Sequence, residues 1–184
     1  MDAWAQWFER YPKFPPVGHI LRSAMESCWF RVYGLPEGKR TPTNEAEFQE
    51  LQNRYRTVGD DVLGVGSDCI MWLTQYGADP IPDDLAWTLA PAPPTWNLGS
   101  DLEEELSEAR FYYAIQSWHS PAIDEVFRRL AVGDLGPVAV MSVATSCTVC
   151  PYEGGMDIFV RTRDTIPALK EKFRAWLSPL ASGL

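Results

Sequence analysis

Basic residues and histidines are scarce in this chain of 184 residues: 16 Lys and Arg stand against 25 Asp and Glu, for a net charge of −9, with only two histidines. A nucleic-acid ligand is poorly served by that balance, because affinity for a phosphate backbone comes from neutralising phosphates with cations. The charge fits a basic protein partner or a neutral small molecule. It also fits an acidity that does no more than keep the chain soluble.

Long hydrophobic runs are missing too. No apolar segment approaches the ~20 residues that span a bilayer, so no membrane partner is expected. "MDAWAQWFERYPKFPP" carries Asp2 and Glu9 among its aromatics and has no basic region or small-residue cleavage site. The cytosol is the expected compartment, and the four cysteines, at 28, 69, 147 and 150, are expected to stay reduced there.

Motifs for chemistry are equally few. In "SCTVCPYEGGMD", 146 to 157, Cys147 and Cys150 form a C-x-x-C pair. Extended at about 3.3 Å per residue, the two Cα atoms would stand ~10 Å apart, beyond the ~7 Å that a disulfide bridges. A thioredoxin-type site needs a helix after the first cysteine to lower its pKa, and Pro151, Gly154 and Gly155 argue against one. A zinc site needs two more ligands, and no second C-x-x-C or paired histidine offers them at a recognisable spacing. No cofactor or metal is expected, and the stretch reads as the end of a strand followed by a turn.

His119, in "SWHSP", sits in a predicted loop beside Ser117 and Ser120. Adjacent residues seldom make a triad, since nucleophile and base usually meet through the fold. "GVGS" at 64 to 67 follows a helix instead of opening one, so it lacks the geometry of a phosphate-cradling loop. Glu153 and Asp157 flank a hairpin turn, where acids commonly satisfy backbone N–H groups.

What is present is an aromatic-rich globular composition: 46% hydrophobic and 12% aromatic residues, with eight tryptophans, far from the profile of a disordered chain. One domain is the simplest division of this length. Short helices are predicted over 3–10 and 20–27, and strands over 28–35, 69–76 and 110–118. A long helix begins at Asn44, whose capping box reaches Glu47, and carries Phe48, Leu51, Tyr55, Val58 and Val62 on one face. A further helix follows the Ser120–Pro121 cap and start, and a last one covers Ile166 to Leu177. "PVAVMSVATS" and "MDIFVRT" read as two strands of a hairpin joined by the C-x-x-C stretch. The expected fold is α+β: a mainly antiparallel sheet of about five strands, with helices packed on one face.

The pieces "FRVYGLPEGKR", "NRYRT", "PYEGGMDIFV" and "LKEKFRAWL" resemble a group of uncharacterised small bacterial α/β proteins. In that group a Leu-Pro-x-x-Lys-Arg turn and a Tyr-Asp/Glu-x-Gly-x-Asp hairpin recur. The resemblance supports the fold and implies no mechanism.

Two function classes follow. One is a non-enzymatic acidic protein that captures a basic partner, as a toxin-neutralising immunity protein does. It would use Asp101, Glu103, Glu104, Glu105 and Glu108 together with Trp87 and Trp96 of the Pro-rich segment 77–98. The other is a small thiol-dependent or hydrolytic enzyme centred on Cys147, Cys150 or His119. The first needs an acidic and aromatic surface, the second a cleft where those side chains converge.

Overall fold

A computed structural model describes residues 2–77, 81, 86–91, 96 and 98–178. Its centre is one antiparallel sheet of seven strands: β1 (Trp29–Tyr33), β2 (Asp68–Gln75), β3 (Thr88–Leu89), β4 (Arg110–Ser117), β5 (Val138–Ser142), β6 (Thr148–Tyr152) and β7 (Gly155–Phe159). They lie side by side in the order β1-β7-β6-β5-β2-β4-β3. Among the described residues six α-helices surround it: α1 (Ala3–Arg10), α2 (Gly18–Ala24), α3 (Glu45–Val62), α4 (Ser100–Glu105), α5 (Pro121–Ala131) and α6 (Ile166–Lys172). Most of the Pro-rich segment 77–98 lies outside the described residues; the part described includes the two-residue edge strand β3.

Two expectations are corrected. The sheet has seven strands, not about five. β3 is a short strand of the Pro-rich segment; β6 is the other, because the run read as one strand ending in a turn is two strands, β5 ending at Ser142 and β6 starting at Thr148. Helices also cover both faces, not one. Cys69, Met71 and Leu73 of β2 join the core formed with α3 and α5, while Ile70 and Trp72 join a second core formed with α1 and α2. A strand points successive side chains to opposite faces, so an unbroken apolar run such as β2 is buried on both. In the second core the Trp4 ring centroid lies 4.3 Å from that of Trp72 and 5.5 Å from that of Phe111. No helix among the described residues is long and apolar enough to cross a membrane.

The long helix forms as its sequence dictates. The Asn44 side chain accepts from the Glu47 N–H at 3.0 Å, and Leu51, Tyr55 and Val58 are fully buried. The last expected helix is shorter: α6 ends at Lys172, and a single 3-10 turn, Arg174–Trp176, lays Trp176 against the buried Arg54 guanidinium at 5.4 Å. Because Leu51 is wholly enclosed, Leu51→Ala is expected to cost about 2–5 kcal/mol through lost burial and a residual cavity. Gln52→Ala, at a half-buried position on the rim of that face, should cost far less. Equal urea midpoints for the two variants would remove Leu51 from the core.

Candidate functional site

The acids expected to form a partner surface come together on α4 and the turn that follows it. Leu106 is buried and Leu102 half-buried, fastening the segment to the core on the α1 side of the sheet, while Asp101, Glu103, Glu104, Glu105 and Glu108 are exposed. Glu105 is engaged: its Oε1 lies 3.3 Å from His19 Nε2 and 3.4 Å from the Tyr76 hydroxyl. Burial, with the Glu105 charge, pushes the Tyr76 phenol up to about 12. Among the described residues no cation pairs with Asp101, Glu103, Glu104 or Glu108.

The two tryptophans are half-buried and part company. Trp96 packs on the same side as α4, its ring 5.7 Å from that of Trp4 and 5.6 Å from that of Phe111. Trp87 packs against the core on the opposite face.

The candidates for chemistry do not converge. All four cysteines are free. Cys147 precedes β6 and Cys150 lies within it, and three steps along an extended chain turn them to opposite faces, so Cys147 borders the α3 core and Cys150 lies in the α1 core. Burial, with the charge of Asp157, pushes the Cys150 thiol well above its ordinary pKa, which keeps it neutral and a poor nucleophile. His119 Nε2 lies 2.8 Å from Asp60 Oδ1, an oxygen that also accepts from the Trp118 indole at 3.0 Å. The neighbouring serines are occupied elsewhere, Ser120 capping α5 and Ser117 reaching the Gly66 carbonyl. No group of three or more His, Cys, Asp or Glu side chains among the described residues is arranged to hold a metal.

These placements predict an order of alkylation in the native protein. The half-buried Cys28 and Cys147 should react well before the buried Cys69 and Cys150, read by mass spectrometry after brief labelling without reductant. A 147–150 disulfide in protein left in air, or early labelling of Cys150, would contradict the strand geometry.

Sequence reasoning missed a cleft. A cavity of about 390 Å³ lies beside the start of β5 and the end of β6, bounded by the end of α5 and its following loop, by the start of α2, and by side chains of β1, β6 and β7. At its polar end Asp157, 3% exposed, accepts from Arg31 Nε at 2.8 Å and Nη2 at 3.2 Å and from the Trp29 indole at 2.9 Å. Burial works to lower the Arg31 pKa, but the hydrogen bonds and charge of Asp157 outweigh it and the value rises. The Arg31 guanidinium lies 5.0 Å from the Tyr152 ring centroid, and burial pushes that phenol up to about 12. Behind Tyr152, the Tyr55 hydroxyl lies 2.8 Å from both the Tyr152 and Gly155 carbonyls, holding the β6–β7 turn to α3. Gly18 lets α2 close over this end, since a Cβ there would sit 3.0 Å from the Cβ of Cys150.

A family described as a domain of unknown function, DUF3885, matches residues 17–181. The chain belongs to this family. No curated protein and no solved structure matches it. The DUF3885 match takes in α2 to α6 and the whole sheet, and with them α4 and the cleft. α1 lies outside it, although Trp4 and Trp7 of that helix cover Trp72.

Proposed function

We propose that this DUF3885 chain is a non-enzymatic binding protein that holds a basic protein partner on the acidic face of α4; an immunity-type protein that neutralises a basic toxin is one form such a role takes. The observation that carries the reading is the exposure of Asp101, Glu103, Glu104 and Glu108 on a segment anchored by Leu106 and by the Glu105–His19 contact. Like charges gathered without cations repel one another, and a basic surface relieves that repulsion while the field steers encounter. The separation of Cys147, Cys150 and His119 supports binding over the thiol or hydrolytic alternative.

The test begins with capture of the partner from the native host and proceeds to binding kinetics at low and high salt. Glu103→Lys, Glu104→Lys and Glu108→Lys together leave the Glu105–His19 contact in place. The triple variant should associate about tenfold more slowly at low salt and show a flatter salt dependence. Unchanged association at low salt would reduce α4 to a solvated surface and overturn the reading.

A further inference from the structure

The cleft beside the start of β5 and the end of β6 is bounded by fixed parts of the fold. The loop after α5 is pressed against β2: a Cβ on Gly136 would overlap the Thr74 carbonyl, and the Thr74 N–H donates to the Pro137 carbonyl at 2.9 Å. That contact sets Leu135 and Pro137, both half-buried, as an apolar wall that Leu130 completes. Arg31 and Tyr152 line the cleft as well, with the guanidinium over the Tyr152 ring.

Two polar atoms of these side chains still have hydrogen bonds to give. Arg31 reaches Asp157 through Nε and Nη2, so its Nη1 has no partner among the described residues, and the Tyr152 hydroxyl has none either. Neither atom is sealed from solvent, unlike the orphaned Trp72 Nε1 and Thr74 Oγ1 of the core. Both are donors: a guanidinium keeps its protons, and the Tyr152 phenol, pushed up to about 12 by burial, keeps its own. The carboxylates of the cleft are occupied. Asp157 Oδ1 accepts from the Trp29 indole and Arg31 Nε, its Oδ2 accepts from Arg31 Nη2, and Glu153 is held by Thr41 at 2.6 Å and Arg40 at 3.3 Å. A ligand here meets donors and has to supply an acceptor.

Its charge follows from the same residues. A carboxylate would set a further negative charge beside Asp157 and Glu153 with Arg31 already committed, and an ammonium would face Arg31. An uncompensated charge costs far more to enclose than a hydrogen-bonded neutral group. A volume near 390 Å³ falls within the range of small-molecule sites. We propose that this cleft binds a small uncharged carbonyl compound, whose oxygen accepts from Arg31 Nη1 and the Tyr152 hydroxyl and whose apolar body lies against Leu135 and Pro137. The site is separate from the acidic face of α4 and stands or falls independently of it.

Acetophenone, a neutral ketone with an apolar ring, is a suitable probe, titrated into isotope-labelled protein and followed by backbone amide shifts. Saturable shifts are expected at Arg31, Leu135, Gly136 and Tyr152. α-Methylstyrene, in which a methylene group replaces the carbonyl oxygen, should bind about fivefold more weakly, the loss of one net hydrogen bond. Benzoate should produce no saturation. Tyr152→Phe keeps the ring and removes the donor, so it should weaken acetophenone binding while leaving that of α-methylstyrene unchanged. Leu135→Trp, which fills the cleft from its apolar wall, should abolish binding of both. Absence of saturable shifts at those four residues, equal affinity for the ketone and the alkene, benzoate binding as tightly as acetophenone, or undiminished ketone binding to both variants would overturn the proposal.

Discussion

Alanine at Gly59 is expected to destabilise the protein by about 1–3 kcal/mol or more, although Gly→Ala inside a helix ordinarily stabilises by about 0.5–1 kcal/mol. Gly59 lies in the interior of α3, and a Cβ there would overlap the indole of Trp118. That ring has nowhere to go. It is fully buried, donates to Asp60, packs edge-on to Phe127 at 5.8 Å and carries the Arg56 guanidinium over its face at 5.3 Å. Relief would require moving α3 away from the β4–α5 connection that holds Trp118, whose carbonyl also accepts from Arg56. A urea midpoint at or above that of the unmodified protein would show that the indole is not packed on the helix backbone.

Asp157→Ala should be as severe. It leaves Arg31, whose side chain is 14% exposed, with its charge unpaired, and it removes the partner of the Trp29 indole. Breaking a buried pair from one side costs about 3–5 kcal/mol, whereas replacing both members by apolar residues of similar volume is often close to neutral. Arg31→Met combined with Asp157→Leu should therefore recover most of the loss. Urea unfolding with unchanged m-values would measure both. A double variant no better than Asp157→Ala alone would mean that the pair contributes through something other than compensation of charge.

Elements with strong local signals were legible in the sequence. α3 follows from its cap and its spacing of Phe48, Leu51, Tyr55 and Val58, and α5 from Ser120, Pro121 and the face Ile123, Val126, Phe127 and Leu130. The extended course of 147–150 was legible, but not that it starts a strand separate from β5, because Pro151 argues against an interior strand and no Gly or Pro marks the turn after Ser142. Pro151 is tolerated there because its nitrogen lies on the β5 side, beyond Val140–Val149, the last pair of that ladder. The two-sided covering of the sheet had a signal in the unbroken "CIMWL" of β2, the mark of a strand buried on both faces. The acids at 101–108 are contiguous and so could be read directly. The cleft joins Gly18, Arg31, Leu130, Val138 and Asp157, residues whose spacing carries no pattern until the four strands β1, β7, β6 and β5 are laid side by side.

The role of α4 is tested most directly by hydrogen exchange on the chain with its captured partner bound. Slowed exchange is predicted over residues 100–108, with the residues lining the cleft and the exposed surface of α5 unchanged. Protection confined to other surfaces, with 100–108 exchanging as in the free protein, would contradict the account.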